Sequence, residues 1–401
     1  MSNERQLIIL GTMGQTPVAG MAWQVLHYLE GFRRLGYDVY YVEDTGDWPY
    51  DPDQNALTDD YRYTLNYLAR LMAWCGLSDR WAYRFRATGE IFGLSASQFS
   101  RLFKRADALV NVTGATWLRD EHLRVPVRIY VETDPVLPQV KVAQGDQHFV
   151  DLLSAHTHHF TWAENLGEPD CEIPLGRFDY RTTRQPIVLD WWAPAELSSN
   201  GSRKPSTDGR FTTIATWQQS GNDLEWDNDL EWNGETYVWS KHVEFLRFID
   251  LPRRTDHQLE LALAGADAET VRLLGLHGWR VVDALALSKD ILPYRDYIRG
   301  SRGEFTVMKP QYFRPRGGSF SDRSACYLAA GRPVIIQDTG FGKILPTGRG
   351  LFAFRTMEDI LMALDAIESD YEEHRRAALQ IATEYFAAEK VLSSLAEQAG
   401  L

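Results

Sequence analysis

The sequence has few cysteines, no long apolar run and no excess of basic residues. Its three cysteines, Cys75, Cys171 and Cys326, are widely spaced and odd in number. This favours a reducing cytoplasm over a disulfide framework or a cysteine-type zinc site. No apolar stretch approaches the ~18 residues of a transmembrane helix, so we expect no stable membrane insertion. The formal net charge of -13 argues against nonspecific binding to nucleic acid.

What the chain does contain is a repeated alternation of apolar strands and amphipathic helices. Residues 7–10 predict a strand, about 20–35 a helix and 37–42 a second strand, which together form a β-loop-α-β unit. The same alternation resumes after residue 210. With 401 residues the chain exceeds one typical domain. We therefore expect an α/β protein with two Rossmann-like domains, each built on a parallel sheet.

The domain boundaries follow from one polar, turn-rich segment. Residues 196–209 contain Ser, Asn, Gly and Pro in close succession and predict a linker. The expected domains are 1–195 and 210–370, and residues 371–401 are expected to form a terminal helix that packs back on the first domain. Two such domains would face each other across a cleft. Ligands usually bind there, at the carboxyl ends of the strands.

The most informative segment runs from Ser319 to Gly340, and residues 314–318 precede it. Two arginines and the Gly317-Gly318 turn precede a helix that Gly331 ends, and a short apolar strand follows. Ser321 stands where a capping residue is expected. A helix N-terminus beside fixed positive charge is a favourable place for a phosphate group.

Further candidates for this anion site lie elsewhere in the second half. Trp217 follows a predicted strand and could stack on a base or a sugar, and Lys241 could meet a diphosphate, although a solvated surface lysine is an alternative. The predicted donor-binding residues are Trp217, Lys241, Lys309, Arg314, Arg316, Gly317, Gly318, Ser319, Ser321, Asp322, Arg323, Asp338, Thr339 and Gly340.

The first half offers a glycine-rich turn and three acids. The turn at residues 11–20 lacks the G-x-G-x-x-G spacing of dinucleotide-binding proteins. It predicts either an acceptor-binding loop or a plain tight turn. The predicted acceptor-binding residues are Gly14, Gln15, Thr16, Glu43 and Asp44. Asp134 directly follows a predicted strand and is the candidate general base, although it could equally form an Asx turn before Pro135.

Two patterns that suggest metal binding lack the full ligand set. His156, His158 and His159 have no supporting carboxylate or cysteine at ligand spacing. The acidic run from Asp223 to Glu231 has Asn228 where a calcium loop needs glycine and Gly234 where it needs glutamate. We expect no bound metal and no cofactor.

These motifs resemble those of the GT-B glycosyltransferases, which transfer sugars from nucleotide sugars. The opening turn with Gly31-Phe-Arg-Arg-Leu-Gly36 is similar to the start of that class. The segment from Tyr327 through Gly331-Arg-Pro-Val to Gly340 is similar to its donor-site block. The resemblance implies that Lys241 and an arginine near Gly317-Gly318 hold the donor diphosphate.

The resemblance also implies a catalytic acid, with two departures. Glu304 matches the first of the paired glutamates, but Cys326 occupies the place of the second, where Asp322 is the nearest acid. The histidine base of many inverting members is absent, since Gln15 and Thr16 occupy its region. Catalytic roles are therefore predicted for Asp134 and Glu304.

The expected function is metal-independent transfer of a sugar, of hexose type, from a nucleoside diphosphate sugar such as a UDP-sugar to a hydroxyl-bearing small molecule or glycan. Domain closure would exclude water from the donor. Two alternatives remain: a sugar-nucleotide epimerase on the same fold, and a non-catalytic nucleotide- or carbohydrate-binding relative.

Overall fold

The computed structural model describes residues 5–194, 209–218 and 229–401. The chain divides into two compact units: unit 1 comprises residues 1–162, 174–188 and 388–401, and unit 2 comprises residues 163–173 and 189–387. Apart from Gly209, the predicted linker lies outside the described residues, as does most of the acidic run after Asp223.

Unit 1 is a parallel sheet with helices between its strands. Its elements, in chain order, are β1 (Gln6–Leu10), α1 (Ala19–Arg34), β2 (Asp38–Glu43), β3 (Tyr50–Asp51), β4 (Ala56–Leu57), α2 (Arg62–Trp74), β5 (Trp81–Arg84), β6 (Ile91–Gly93), α3 (Ala96–Arg105), β7 (Ala108–Val112), α4 (Asp120–Leu123), β8 (Val127–Glu132), α5 (Leu137–Ala143), α6 (Gln147–Ser154), β9 (His158–Thr161) and β10 (Tyr180–Thr182).

Within the described residues the main sheet of unit 1 has the order β10-β9-β8-β7-β1-β2-β5-β6. All neighbours pair in parallel except β5 and β6. The central strand β1 reads Leu-Ile-Ile-Leu after Gln6 and is buried along that run, as a parallel strand covered on both faces requires. The carboxyl ends of β1, β7, β8 and β9 therefore lie along one edge of the sheet.

Unit 2 repeats this architecture. Its elements are α7 (Leu189–Trp192), β11 (Phe211–Thr216), β12 (Leu230–Trp232), β13 (Glu235–Tyr237), α8 (His242–Arg247), β14 (Leu259–Ala264), α9 (Ala268–Leu276), β15 (Arg280–Asp283), α10 (Ala284–Ser288), α11 (Ile291–Gly300), β16 (Gly303–Thr306), α12 (Pro310–Phe313), α13 (Asp322–Ala329), β17 (Val334–Gln337), β18 (Leu351–Phe354), α14 (Met357–Ser369) and α15 (Tyr371–Ile381), with single 3-10 turns at Leu251–Arg253 and Phe341–Lys343.

The described residues of unit 2 form a parallel sheet of order β15-β14-β11-β16-β17-β18. Its core is strongly aromatic, with Phe211, Phe245, Phe305 and Phe354 each at most 1% exposed. A separate antiparallel hairpin, β12–β13, follows β11. Among the described residues of both units, no helix combines the length and apolar character that crossing a bilayer would require.

The terminal segment differs from the single helix that the sequence predicts. α15 ends at Ile381 and continues as a π-helical turn, Ala382–Phe386. α16 (Ala388–Ala399) then begins, and it belongs to unit 1, where it packs on α1. The break falls where the chain passes from unit 2 to unit 1, so α15 and α16 stabilise different units.

A single glycine permits the close contact of α16 with α1. A Cβ added at Gly31 would lie 2.4 Å from Leu392 Cδ1 and 3.0 Å from Ala388 Cβ. We expect Gly31→Ala to lower the free energy of unfolding by about 1–3 kcal/mol through overpacking, measured by thermal unfolding. Gly275→Ala in α9 is the matched control, because a Cβ there meets no atom within 4 Å. That variant should be stabilised by about 0.5–1 kcal/mol, and an equal response of both variants would contradict this role of Gly31.

Candidate functional site

The turn before α13 is built from residues at positive φ. Arg316 has φ +56° and Gly318 has φ +77°. The buried Asn165 holds this turn: its amide N donates to Gly317 O at 2.9 Å, and its Nδ2 donates to Arg316 O at 3.2 Å and to Gly340 O at 3.0 Å. Asn165 is not among the residues predicted from the sequence, since it lies in no motif and is more than 150 residues from its partners along the chain.

The turn after β17 supports the same segment. Gly318 N donates to Thr339 O at 2.9 Å, and Thr339 Oγ1 donates to Ser319 O at 2.6 Å. Asp338 accepts from Gly340 N at 2.8 Å and forms an ion pair with Arg355. The polar groups of the predicted donor-binding residues 338–340 thus bond to other groups of the protein, and these bonds hold the turn in place.

Unpartnered polar atoms face the start of α13. The hydroxyl groups of Ser319 and Ser324 are buried, and among the described residues neither has a hydrogen-bond partner. Ser321 occupies the predicted N-cap position with φ -80°, but its side chain makes no capping bond. The first turn of this eight-residue helix therefore has backbone N–H groups that no side-chain cap satisfies and that a ligand or water can satisfy, whereas the two hydroxyl groups are enclosed.

Lys241 is a half-buried cation at the same place. It immediately precedes α8, and its electrostatic neighbours are Arg323, Glu304, Lys309 and Asp322. Burial, and then the Arg323 guanidinium, lower the pKa of the Lys241 ammonium well below its usual value. Its ammonium makes no hydrogen bond or ion pair with any other part of the described chain. A partly desolvated cation without an anion is a binding position for one.

Arg323 and Glu304 form a buried ion pair. Glu304 is completely buried on β16, and its Oε1 accepts from Arg323 Nε at 2.7 Å. The other nitrogens of Arg323 donate to Ile214 O at 2.6 Å and Thr306 Oγ1 at 3.0 Å. The ion pair fixes the first turn of α13 to the sheet. The contacts of Glu304 support a structural role for this carboxylate, and its catalytic role stays a prediction.

The prediction that Trp217 stacks on a base or sugar is wrong. Its side chain is only 4% exposed and stacks on Phe245 in the core, with ring centroids 5.9 Å apart. The neighbouring aromatic that meets the cations is Trp239. Lys309 Nζ lies 3.3 Å from its ring centroid, while the buried indole N–H of Trp239 has no partner among the described residues. A tryptophan directly after a strand can face a ligand or pack in the hydrophobic core, and Trp217 packs in the core.

The remaining charged candidates of unit 2 are partnered. Arg314 lies 3.4 Å from Glu235 of β13, and Arg316 lies 3.2 Å from Asp170. Asp322, at the first position of α13, accepts from the backbone N–H of Arg323 at 2.7 Å. Of the predicted cations, Lys241 is thus the one whose charge is least compensated by the described residues.

In unit 1 the backbone of the predicted acceptor loop is hydrogen-bonded to a carboxylate from the end of β2. Glu43 is completely buried and accepts from Gly14 N at 2.7 Å, from Gln15 N and from Tyr41 Oη. Thr16 N donates to Thr12 O at 3.0 Å. Burial raises the pKa of Glu43 to about 7. The backbone N–H groups of Gly14 and Gln15 are therefore occupied by Glu43, which is itself enclosed, and acceptor binding by this loop stays a prediction.

Asp44 is enclosed by basic groups. It forms ion pairs with Arg84 at 3.0 Å and Arg119 at 2.7 Å, and His122 Nε2 lies 3.6 Å away. Its side chain is completely buried, which raises its pKa to about 6. Asp44, Glu121 and His122 could group around a metal ion. However, His122 Nδ1 accepts from Arg119 N, so the neutral ring carries its proton on the nitrogen facing Asp44.

Asp134 is exposed directly after β8. The nearby histidines are structural: His156 Nδ1 bonds to Leu152 O at 2.9 Å, and His159 Nε2 bonds to Leu153 O at 2.8 Å. Both rings are thereby tied to α6.

A glycine substitution tests whether the turn before α13 matters for binding. A Cβ added at Gly318 would lie 2.7 Å from Asn165 Cγ, at φ +77°. Gly348 has φ +93° with no atom within 4 Å, so Gly348→Ala is the matched control for backbone strain alone. We expect Gly318→Ala to lose about 1–3 kcal/mol more stability than the control and to lack the thermal stabilisation by an added nucleoside diphosphate that the sequence predicts for the unmodified protein. Retained stabilisation would contradict the role of the turn.

No protein-family model matches the sequence, and no curated protein matches it. Solved structures do match. An alpha-glucosyltransferase in complex with UDP and DNA superposes with a TM-score of 0.60 at 8% identity, covering 100% of both chains. Sucrose-phosphate synthase from Thermosynechococcus elongatus gives 0.54 at 13% identity, with 98% of each chain covered. HepE of Anabaena in complex with UDP-glucose gives 0.54 at 11% identity, covering 98% of this chain and 99% of that one.

These similarities confirm the fold predicted from the sequence. The chain has the GT-B fold of glycosyltransferases, with a parallel-sheet α/β unit in each half. At such low identity the comparisons establish the architecture, and the chemistry has to be argued from the site itself.

Proposed function

We propose that the protein is a glycosyltransferase that moves a sugar, of hexose type, from a nucleoside diphosphate sugar to a hydroxyl group of a small molecule or glycan. The observation that carries this proposal is the uncompensated, half-buried Lys241 ammonium among the residues around α13. Its position supports binding of a compact dianion, and the GT-B fold supports a nucleotide sugar as the source of that dianion.

The donor diphosphate would lie between Lys241 and the first turn of α13. Lys241 would neutralise one phosphate, while the N–H groups at the start of the helix would donate to phosphate oxygens. As the bond between the sugar and the diphosphate breaks, negative charge grows on the leaving group. The same cation and donors stabilise that charge without a divalent ion.

The choice of acceptor follows from charge. One structural neighbour was solved with DNA. The present chain carries a formal net charge of -13, which repels a polyanionic acceptor. We therefore propose an uncharged or weakly charged hydroxyl compound as acceptor, and not nucleic acid.

Turnover of a donor panel tests the proposal. The panel contains UDP-, GDP- and TDP-sugars, with UDP-glucose first because one neighbour was solved with it. The expected result is release of free nucleoside diphosphate together with a glycosylated acceptor. An altered sugar that stays on the nucleotide would indicate an epimerase instead.

A non-catalytic binding relative is a second candidate. It is favoured by Cys326, which stands where the resemblance expects a carboxylate, and by the enclosure of Glu304. Nucleotide binding without release of nucleoside diphosphate from any donor would support this candidate.

A further inference from the structure

Three neighbouring strands of the unit 2 sheet end at the same edge. β11, β16 and β17 lie side by side and run parallel, with Thr306 of β16 opposite Ile336 of β17. Trp217 directly follows β11, Met308 lies two residues beyond β16, and Gln337 is the last residue of β17. The carboxyl ends of parallel strands carry the ligand-binding loops of α/β proteins. A contact that joins these ends therefore also joins the loops that follow them.

A buried amide side chain joins two of these ends to helix α8. Gln337 is 3% exposed; its Oε1 accepts from Met308 N at 2.9 Å, and its Nε2 donates to Glu244 Oε2 at 2.8 Å. Glu244 lies in the first turn of α8 and is 2% exposed. Because an amide side chain both accepts and donates, it can hold two partners of opposite hydrogen-bonding character. Gln337 thereby links the ends of β16 and β17 to the start of α8.

The backbone around Lys241 is held on both sides. Ser240 Oγ donates to Trp217 O at 3.0 Å, and His242 N donates to the same oxygen at 3.1 Å. Glu244 N donates to Lys241 O at 3.1 Å. The residues directly before and after Lys241 are thus tied to the end of β11. Through Glu244, Lys241 is also connected to the buried amide at the end of β17.

A second buried glutamate of unit 2 provides a comparison. Glu260 is 3% exposed and is the second residue of β14, at the amino end of the sheet. It accepts from Tyr297 Oη of α11 at 2.9 Å and pairs with Arg280 of β15 at 2.6 Å. These contacts join β14 to α11 and β15 at the edge of the sheet opposite to Lys241. The bonds of Gln337, by contrast, end on the segments next to the candidate anion site.

We propose that Gln337 and Glu244 are positioning residues for the donor diphosphate, because they fix the start of α8 so that the Lys241 ammonium meets a phosphate. This inference rests on the diphosphate site of the proposed function. Neither positioning side chain contacts the ligand, and both act through Lys241. Without their bond the start of α8 can shift against β17. The positive charge is then no longer held in advance where the leaving group forms, and such preorganisation is what makes the stabilisation effective.

A double-mutant cycle separates positioning from general support of the fold. Gln337→Leu should lower kcat/KM for transfer about tenfold, because the ammonium is displaced. In the Lys241→Met background, the same substitution should change kcat/KM by less than about twofold, since it acts only through that ammonium. Multiplying effects, or an unchanged kcat/KM in Gln337→Leu, would overturn the proposal.

Two substitutions of Glu244 distinguish its hydrogen bond from its charge. Glu244→Gln keeps an oxygen that accepts from Gln337 Nε2, so its kcat/KM should stay within about twofold of that of the unmodified protein. Glu244→Leu removes the acceptor and should lose as much as Gln337→Leu, and the two leucine substitutions together should lose no more than either alone. An equal loss in Glu244→Gln and Glu244→Leu would contradict a role in positioning through this bond.

Glu260→Leu is the matched control for Glu244→Leu, since both glutamates are almost completely buried in unit 2. Both substitutions should lower the melting temperature. At a temperature at which every variant is folded, Glu260→Leu should nevertheless keep kcat/KM within about twofold of that of the unmodified protein. A loss as large as that of Glu244→Leu would show that destabilisation alone lowers transfer, and the proposal would fall.

A second variant covers the case in which Gln337→Leu does not fold. Gln337→Glu then takes its place in the cycle with Lys241→Met. The new carboxylate still accepts from Met308 N but has no N–H group to donate to Glu244. The expected and the contradicting results are the same as for Gln337→Leu.

Failure of this inference differs from failure of the proposed function. The exchange rate of the Met308 amide hydrogen needs no substrate, and Gln337→Leu should raise it. A raised exchange rate with undiminished kcat/KM overturns the positioning role while sugar transfer stands. Absence of nucleoside diphosphate release from the whole donor panel in the unmodified protein instead overturns the proposed transfer.

Titration with inorganic pyrophosphate then decides the inference on binding alone. Weaker binding of pyrophosphate by Gln337→Leu, but not by Glu260→Leu, supports the positioning of Lys241 at a diphosphate site. Equal binding by the unmodified protein and Gln337→Leu overturns the positioning role. No binding of pyrophosphate by the unmodified protein overturns the diphosphate site, and this inference with it.

Discussion

Replacing Lys241 by methionine is expected to lower kcat/KM for sugar transfer by about 10²–10³-fold, the usual loss when one preorganised donor to a developing anion is removed. The ammonium of Lys241 makes no ion pair with the described residues, and its acidic neighbours Glu304 and Asp322 both contact Arg323, so we expect a ligand phosphate to compensate its charge. Methionine keeps most of the aliphatic side chain and removes the charge. Steady-state kinetics with the best donor of the panel, together with nucleotide titration, measures the effect.

Lys104→Met is the matched control, because Lys104 is an exposed lysine in α3 of unit 1. Its kinetics should equal those of the unmodified protein. An unimpaired Lys241→Met enzyme would contradict the assignment of the diphosphate site, even if transfer itself were established.

Replacing Glu132 by glutamine is expected to remove most of the alkaline destabilisation of the protein. Burial raises the pKa of Glu132 from its usual 4.5 to about 8. Between these values the folded protein keeps a proton that the unfolded chain has lost. The free energy of unfolding therefore falls as the pH rises, until the folded pKa is passed. From pH 6.5 to pH 8 this loss amounts to about 2 kcal/mol.

Other buried groups change the free energy of unfolding mainly outside the interval from pH 6.5 to pH 8. Glu43, with its pKa raised to about 7, adds to the loss only below that pH. Burial lowers the pKa of His122 to about 4 and that of His156 to about 3, so these rings reduce stability below pH 6.5 and not above it. Guanidinium unfolding at pH 6.5 and pH 8 measures the difference.

The exposed Glu90 provides the comparison for this substitution. Glu90→Gln should keep the full alkaline loss of the unmodified protein, whereas Glu132→Gln should lose about 2 kcal/mol less between the two pH values. An equal change in the free energy of unfolding between pH 6.5 and pH 8 in the two variants would show that Glu132 is ionised at little cost in the folded state.

The sequence patterns predicted the backbone better than the side-chain contacts. Strands such as Leu7–Leu10 and Val334–Ile336 are continuous apolar runs bounded by glycine or polar turns, and that pattern depends only on local sequence. The β12–β13 hairpin was not predicted, because its three-residue strands are too short to show a period. The break between α15 and α16 was missed since the amphipathic pattern continues on both sides of it.

Local sequence signals predicted the backbone of the candidate site but not the contacts of its side chains. The glycine turn and the helix start at Ser321 follow from local signals. Whether a polar group is available depends instead on distant residues. The carboxylate of Glu43 accepts from the backbone of Gly14 and Gln15, and one oxygen of Glu304 accepts from Arg323. No spacing rule in a single sequence identifies such partners.

Calorimetric titration of the unmodified protein with UDP, GDP and TDP, in buffer containing EDTA, tests the central claim most directly. The account predicts saturable binding of at least one of the three in the absence of divalent ions, and loss of that binding in the Lys241→Met variant. No binding of any of the three, or binding that requires a divalent ion, would contradict it.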